Sequence, residues 1–455
     1  MSVRLATVAM MMACGMAPAA AFRPSHPGGP LNTSLGPFQH EVTAVSDGGS
    51  LHLAWTEAFW PGMESRPPPG GDGGAFINHT CAFSTSSDGG ASWAPSTLHK
   101  HAGMIGANPV VAAFGGRVYR VCMGISDGTL TPFWVAGVLE LSASADNGKT
   151  WSPWRTVFAS GHIPDKPWLL ADGDDVYISF THFSHGSSIE GVITVITSHD
   201  QGASFGAPVV LGTGQGSFIT QAADPIDGGA LFVSYVLGDY GNQVAQIAMS
   251  LDRGATFQVT PGPKLHGLGF PVLTYLRAQV DGSMVLLAGC AHYFCPAMLY
   301  SRPVGGGAWS AGTTLAAWAL NAGMSVGTGS AVDFVWTACT PLSGGTPGSG
   351  PSDPGYGRAL NGTAQTFAAS STDGGVTLKK HIPVSDPYPA HCGYPDVIGP
   401  IFGPDAGYTV YKGGYQGLVR NDLGALQIFY IRFPADPTNP APWSSSLWQA
   451  VLHKN

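Results

Sequence analysis

Ser86-Ser87-Asp88-Gly89-Gly90-Ala91-Ser92-Trp93 is the stretch on which the fold turns, because its pattern, S-x-D-x-G-x-[ST]-aromatic, returns along the chain at intervals of 50 to 60 residues. It comes back as Ser144-Ala145-Asp146-Asn147-Gly148-Lys149-Thr150-Trp151, as Ser198-His199-Asp200-Gln201-Gly202-Ala203-Ser204-Phe205 and as Ser250-Leu251-Asp252-Arg253-Gly254-Ala255-Thr256-Phe257. Ser371 to Leu378 keeps all but the aromatic, and the decayed Val304 to Trp309 keeps only a Gly and the Trp. The pattern has the chemistry of a stapled hairpin. Its Asp carboxylate accepts backbone N–H groups inside the turn, its Gly takes a positive φ, its hydroxyl residue helps close the loop, and the aromatic packs beneath. Acidic residues that recur in this way serve structure, since a reaction site needs its acid once.

Outward from these turns, an alternating apolar segment recurs and counts the units independently. Its copies are Leu51 to Trp55, Val118 to Val121, Val176 to Phe180, Leu231 to Tyr235, Met284 to Leu287, Val332 to Trp336 and Tyr408 to Tyr411. The final unit has no repeated turn and reads with Leu426 to Phe433 as its third strand. Units of about four short strands imply an all-β fold, a single β-propeller of seven blades, with six as the alternative. The propeller is expected over residues 38–455, after an N-terminal segment at 22–37.

Composition agrees with that architecture. Among 455 residues, 64 Gly and 36 Pro with only 11% charged residues exclude coiled coils and long helical bundles. The 12 Trp, 14 Tyr and 21 Phe require a packed interior and exclude disorder. A formal net charge of −8 leaves nothing to neutralise a phosphate backbone, so nucleic acid is excluded as a partner.

Met1 to Ala21 reads as a signal peptide, with Arg4, an apolar stretch and the small-residue end Ala19-Ala20-Ala21. Secretion is therefore expected; Met12-Ala13-Cys14-Gly15 offers a lipid-attachment box as the alternative. No later apolar run is long enough to span a bilayer. Beyond Cys14 the chain has Cys81, Cys122, Cys290, Cys295, Cys339 and Cys392. An even count in an exported chain implies disulfides of open pairing, with Cys290 and Cys295 placed for a local bridge. His292 alone beside them does not make a zinc site. No metal and no cofactor are expected, and the chain is read as a monomer. Asn32, Asn78 and Asn361 begin glycosylation sequons.

On its repeated turns, and on Asp165-Lys166-Pro167-Trp168-Leu169-Leu170 before Val176 to Phe180, the chain resembles the sialidase-like Asp-box (bacterial neuraminidase repeat) superfamily. The resemblance covers most of residues 38–433 and implies the propeller fold. It also implies an acid/base Asp, a Tyr nucleophile assisted by a Glu, and arginines that grip a substrate carboxylate. Asp72, in Gly71-Asp72-Gly73-Gly74, matches the acid/base position, and Tyr394, in Gly393-Tyr394-Pro395-Asp396, the nucleophile position. Glu57 is the assisting Glu. The strand expected to carry the first arginine reads Phe38-Gln39-His40-Glu41-Val42-Thr43-Ala44 and has none, so Arg358 and Arg420 are the substitute anion binders.

The face opposite the repeated turns collects the loops, and by position it gathers His40, Glu41, Glu57, Asp72, Asp165, Lys166, His182 and Tyr394. Asp165, Lys166 and His182 are expected to bind substrate. The plainer readings are that Asp72 is a turn residue in a Pro/Gly-rich loop and Tyr394 a core aromatic next to proline. The functional expectation is a secreted exo-α-sialidase-like glycoside hydrolase removing terminal sialic-acid-like or other acidic sugars from extracellular glycoconjugates. The alternatives are a carbohydrate- or protein-binding propeller without catalysis and, third, a polysaccharide lyase.

Overall fold

The computed structural model describes residues 22–24, 29–30, 38–59, 78–126, 136–183, 191–221, 230–238, 242–265, 272–279, 282–290, 295–326, 331–341, 360–379, 381–392, 416–421, 424–432 and 446–454. All its regular structure is antiparallel β. After β1 (Phe22–Pro24) and β2 (Gly29–Pro30) the chain repeats one meander. The first sheet is β3 (Phe38–Asp47), β4 (Ser50–Phe59), β5 (Asn78–Ser86) and β6 (Thr97–His99); the second is β7 (Met104–Phe114), β8 (Arg117–Ser126), β9 (Gly137–Ser144) and β10 (Arg155–Ser160).

β11 (Ile163–Asp172), β12 (Asp175–Phe183) and β13 (Gly191–Ser198) lead into the long β14 (Val209–Gln221). The first half of β14 pairs with β13 and its second half with β15 (Leu231–Leu237), followed by β16 (Val244–Ser250) and β17 (Gln258–Lys264). The same device recurs after β18 (Val272–Ala278), β19 (Met284–Cys290) and β20 (Cys295–Arg302): β21 (Thr313–Val326) joins them to β22 (Val332–Pro341) and β23 (Leu360–Ser371). β24 (Ile382–Pro383) and β25 (Tyr388–Cys392) flank β23. The last sheet is β26 (Gly417–Arg420), β27 (Leu426–Arg432) and β28 (Ser446–Lys454), with β1 on its outer edge.

The innermost strands touch in order, β3 to β7, β11, β14, β18, β21 and β26, and β26 returns to β3. This arrangement is consistent with a β-propeller. Six of the seven apolar segments lie in second strands, β4, β8, β12, β15, β19 and β22, while Tyr408 to Tyr411 falls outside the described residues. β27 corrects one expectation. It is the second strand of its sheet rather than the third, because the fourth strand is supplied by β1, with Phe22 opposite Lys454. The 22–37 segment thus contributes strands to the last sheet instead of only preceding the first.

Apolar faces meet between neighbouring sheets. Leu139 and Leu141 of β9 pack with Leu169, Val176, Ile178 and Phe180 from β11 and β12, and each such side chain contributes about 1.5–3 kcal/mol on burial. Cys81 of β5 is bonded to Cys122 of β8, joining the first two sheets, and Cys290 to Cys295 as expected; Cys339 is also in a disulfide. The bonds are compatible with an oxidising compartment.

The five intact repeated turns add polar ties of their own. Ser86 Oγ donates to Asp88 Oδ1 at 2.7 Å, Gly90 N donates to Ser86 Oγ at 2.8 Å, and Ser92 gives its N–H to Asp88 Oδ1 at 2.8 Å and its hydroxyl to Oδ2 at 2.5 Å. The same bonds recur around Asp146, Asp200, Asp252 and Asp373. Each turn rests on the preceding sheet. At Gly148 (φ +80°) a Cβ would lie 2.9 Å from His52 of β4, so the close approach requires Gly. The first turn rests on the last sheet: Trp93 Nε1 donates to Gln449 Oε1 at 3.0 Å, and Gln427 Nε2 to Gly89 O at 3.1 Å.

Candidate functional site

Five inner strands, β3, β7, β11, β14 and β21, carry a β-bulge, and at four of the bulges one residue has positive φ: Glu41 (58°) in β3, Asn108 (47°) in β7, Lys166 (51°) in β11 and Gly216 (63°) in β14. A bulge re-aims the side chain it carries. A non-Gly residue held at positive φ costs roughly 1–3 kcal/mol, a strain that neighbouring contacts must offset and that gathers at functional sites. Here three consecutive strands turn Glu41, Asn108 and Lys166 toward one another, at the end of the sheets opposite the repeated turns.

The resulting network is dense. Lys166 Nζ donates to Glu41 Oε1 at 2.7 Å and to Asn108 Oδ1 at 2.9 Å. Glu41 Oε2 accepts from Thr56 Oγ1 at 2.9 Å and from the backbone N–H of Asn108 at 3.0 Å. Asn108 Nδ2 in turn donates to Asp165 Oδ1 at 2.8 Å. Glu41, Asn108 and Lys166 are only 4–5% exposed, whereas Asp165 keeps an intermediate share of its surface accessible. Trp168, just beyond the bulge, packs against Phe218 and Tyr275 of the next inner strands and steadies the backbone that carries Lys166.

Burial raises the Asp165 carboxyl above the ordinary carboxylate value, and the negative Glu41 adds to this; the attraction of Lys166 and the Asn108 hydrogen bond only partly oppose it. Glu41, by contrast, is held as the partner of an ammonium. His40, 3.6 Å from Glu41, and His79, whose ring is 5.2 Å from that of His40, are both pushed down by burial, His79 to about 3. Both are uncharged at neutral pH. Among the described residues no three His, Cys, Asp or Glu side chains converge as metal ligands.

The structure therefore brings together Asp165 and Lys166 of the residues expected from sequence, and adds Asn108 to them and to Glu41. Asn108 had a legible signal: Ala107-Asn108-Pro109-Val110-Val111 aligns on Asp165-Lys166-Pro167-Trp168-Leu169, bulge on bulge.

Glu57 lies on β4 and is fully buried. Its oxygens accept from Trp55 Nε1 at 2.6 Å and Gln39 Nε2 at 3.1 Å, and Gln39 Oε1 accepts the N–H of Leu447 at 2.7 Å. That chain ties the first sheet to the last. His182 is hydrogen-bonded elsewhere: its Nε2 pairs with the Ser160 hydroxyl at 2.7 Å beside the His162 ring. Arg420 is at the other end of the sheets, donating to Asp333 Oδ1 at 2.6 Å and to Gly424 O at 3.0 Å. Asp72, Tyr394 and Arg358 lie outside the described residues.

The chain is similar to several solved structures at low identity. The Hadza microbial sialidase Hz136 matches over 93% of this chain and 68% of its own, at 13% identity and a TM-score of 0.49. The phage phi92 endosialidase matches over 94% and 69%, at 10% identity and a TM-score of 0.49. An α-L-arabinofuranosidase from Fusarium graminearum, in complex with an iminosugar inhibitor, matches over 95% and 97%, at 12% identity and a TM-score of 0.46. No protein-family model and no curated protein sequence matches the chain.

Proposed function

We propose that the protein is a secreted, glycan-active seven-bladed propeller that hydrolyses a terminal sugar from an extracellular glycoconjugate, its repeated turns being Asp boxes. The observation that carries this reading is Asp165. Burial raises its carboxyl above the ordinary carboxylate value, the residue keeps an intermediate share of its surface exposed, and it lies next to the Glu41–Lys166 ion pair at the starts of the inner strands. Glycoside cleavage needs such a group to protonate the leaving oxygen, a contribution of about 10²–10⁴ in rate.

In the proposed mechanism Asp165 donates that proton to the leaving oxygen while Tyr394, its phenol proton taken by Asp72, attacks the anomeric carbon from the other side. Water, deprotonated by the Asp165 carboxylate, then displaces Tyr394, which recovers its proton from Asp72. β4 ends at Phe59 and β5 begins at Asn78, β25 ends at Cys392 and β26 begins at Gly417, so both residues belong to connections that leave the same end of the sheets as Asp165. Glu57 acts by holding the joint between the first and last sheets.

The test is turnover of a panel of fluorogenic glycosides, an α-sialoside among them, by purified chain and by Asp165→Asn, Asp72→Asn and Tyr394→Phe. The reading expects turnover of at least one glycoside, lowered at least 100-fold in Asp165→Asn. Turnover indifferent to Asp165→Asn would remove Asp165 from the reaction. No turnover of any glycoside, with glycans still bound, would replace hydrolysis by a binding propeller.

A further inference from the structure

A cavity of about 70 Å³ lies in the seam between the first two sheets, at the end that carries the repeated turns and away from Asp165. Its wall takes His52, Phe83 and Thr97 from the first sheet and Arg120 from the second, with Trp151 from the turn after β9. Arg120 is 6% exposed, and burial lowers its guanidinium only to about 10, so it is a buried cation at neutral pH. Its central carbon lies 3.9 Å from the centre of the Trp151 ring, 4.8 Å from that of Trp154 and 5.1 Å from that of Phe83. Rings attract the charge without replacing acceptors for the five N–H groups of the guanidinium. Nη1 donates to Thr97 Oγ1 at 2.9 Å, while Nε has no acceptor among the described residues.

No Asp or Glu lines the cavity. Glu140, on the strand beside β8, is taken up by His99 at 2.7 Å and His101 at 3.0 Å. His52 pairs with Thr85 and Asn147 at 3.0 Å each, and burial holds it below its ordinary value, so it adds no charge at neutral pH. Every residue of the wall is described. His52 stands near the start of β4 and Arg120 near the start of β8, and the connections 60–77 and 127–135 leave those strands from their other ends.

A charge held out of water is costly unless it is paired. We infer that this cavity is a binding site for a compact monoanion, a halide or a small carboxylate such as formate, with Arg120 as its counter-charge. One buried positive charge balances one negative charge, and a dianion would leave an excess behind. The volume is that of roughly two waters at about 30 Å³ each, which suits such an ion. Ala94, Pro95 and Thr97 at the rim are exposed, so the ion enters from solvent without opening the core. Because the wall belongs to both sheets, a bound ion adds a tie at the joint that Cys81 and Cys122 also close.

Thermal unfolding of the full chain in sodium chloride, formate and gluconate at one ionic strength tests this, gluconate being too bulky to enter. Wild type is expected to show a saturable rise in midpoint of about 2 °C or more with chloride or formate over gluconate. Arg120→Met, which leaves an apolar stem under the rings and removes the charge, is expected to lose that rise. A rise with chloride alone assigns a halide, and it should come with a chloride NMR resonance broadened by wild type and not by Arg120→Met. A rise with formate alone assigns a carboxylate. An equal rise in gluconate, or a response unchanged in Arg120→Met, would overturn the inference. The absence of both the rise and the broadening in wild type would also overturn it, leaving Arg120 to its rings and to water. The wild-type titrations decide even if Arg120→Met does not fold.

Discussion

Arg420 donates to Asp333 at 2.6 Å across the joint between the last sheet and the one before it, and Ser370 Oγ donates to the same Asp333 oxygen at 2.5 Å. The last sheet has no repeated turn, and this ion pair stands at a joint where other sheets rest their turn on the neighbour. Asp333 is buried and Arg420 is 27% exposed on its side chain. Arg420→Leu, which strands the carboxylate, is expected to cost about 2–3 kcal/mol, less than a fully buried pair would because the guanidinium is partly solvated. Urea unfolding of Arg420→Leu, Asp333→Asn and the double variant measures it; additive losses would show that the two residues do not couple.

The turn carboxylates predict an acid limit. Asp88, Asp146, Asp200 and Asp252 are each held at about 2 by a Ser or Thr hydroxyl and by backbone N–H groups. Their folded values lie below the unfolded value of about 3.9, so their contribution is present above that pH and is lost as pH falls toward 2. Thermal midpoints should drop between pH 4 and 2, and Asp146→Asn should start lower and lose less over that window. A parallel loss in the two proteins would mean that other groups titrate.

Asp165 has the opposite sign. Its raised value favours the neutral form, so its contribution to stability and its capacity to donate a proton are both lost as pH rises through that value. Asn108→Gly removes a hydrogen bond that favours the charged carboxylate, without placing a Cβ at φ +47°. The alkaline limb of the kcat/KM profile should therefore move to higher pH. A limb that stays in place would show that Asn108 does not govern the Asp165 proton.

Gly148→Ala is expected to destabilise by roughly 1–3 kcal/mol, because it combines a positive φ with a Cβ that would meet His52. Gly173→Ala is the control for positive φ alone, since nothing lies within 4 Å of a Cβ there. Equal losses in the two would mean that crowding against His52 adds nothing.

Removing the Cys81 to Cys122 bond, which closes a span of 41 residues, should cost about 4 kcal/mol if chain entropy dominates. A Cys81→Ala, Cys122→Ala chain measured in urea gives the value. A loss near zero would mean that the buried contacts between the first two sheets hold them without it.

Much of the fold was legible because the stapled turn is a local device: every bond around Asp88 lies within five residues, so the pattern that makes it appears whole in the sequence. Of the Glu41 network, Asp165 and Lys166 stood out in the sequence from their place ahead of a strand; Asn108 carried the same Asn-Pro against Lys-Pro signal, but its place in the network depends on a bulge that brings β7 between β3 and β11. The Asp333 partner of Arg420 was not legible, because an isolated arginine does not announce its partner and Asp333 is 87 residues away. The order of the last sheet was misread for a related reason: its outer strand comes from the other end of the chain, and no periodicity within the sheet reveals that.

That closing strand also sets how the ring responds to load. β1 runs antiparallel to β28 with Phe22 opposite Lys454, so a force applied at those two residues peels the pair apart one rung after another instead of shearing all its bonds together. The disulfide between the first two sheets lies outside that path. The last sheet is thus clasped by three backbone rungs, and the first two sheets are stitched by a covalent bond.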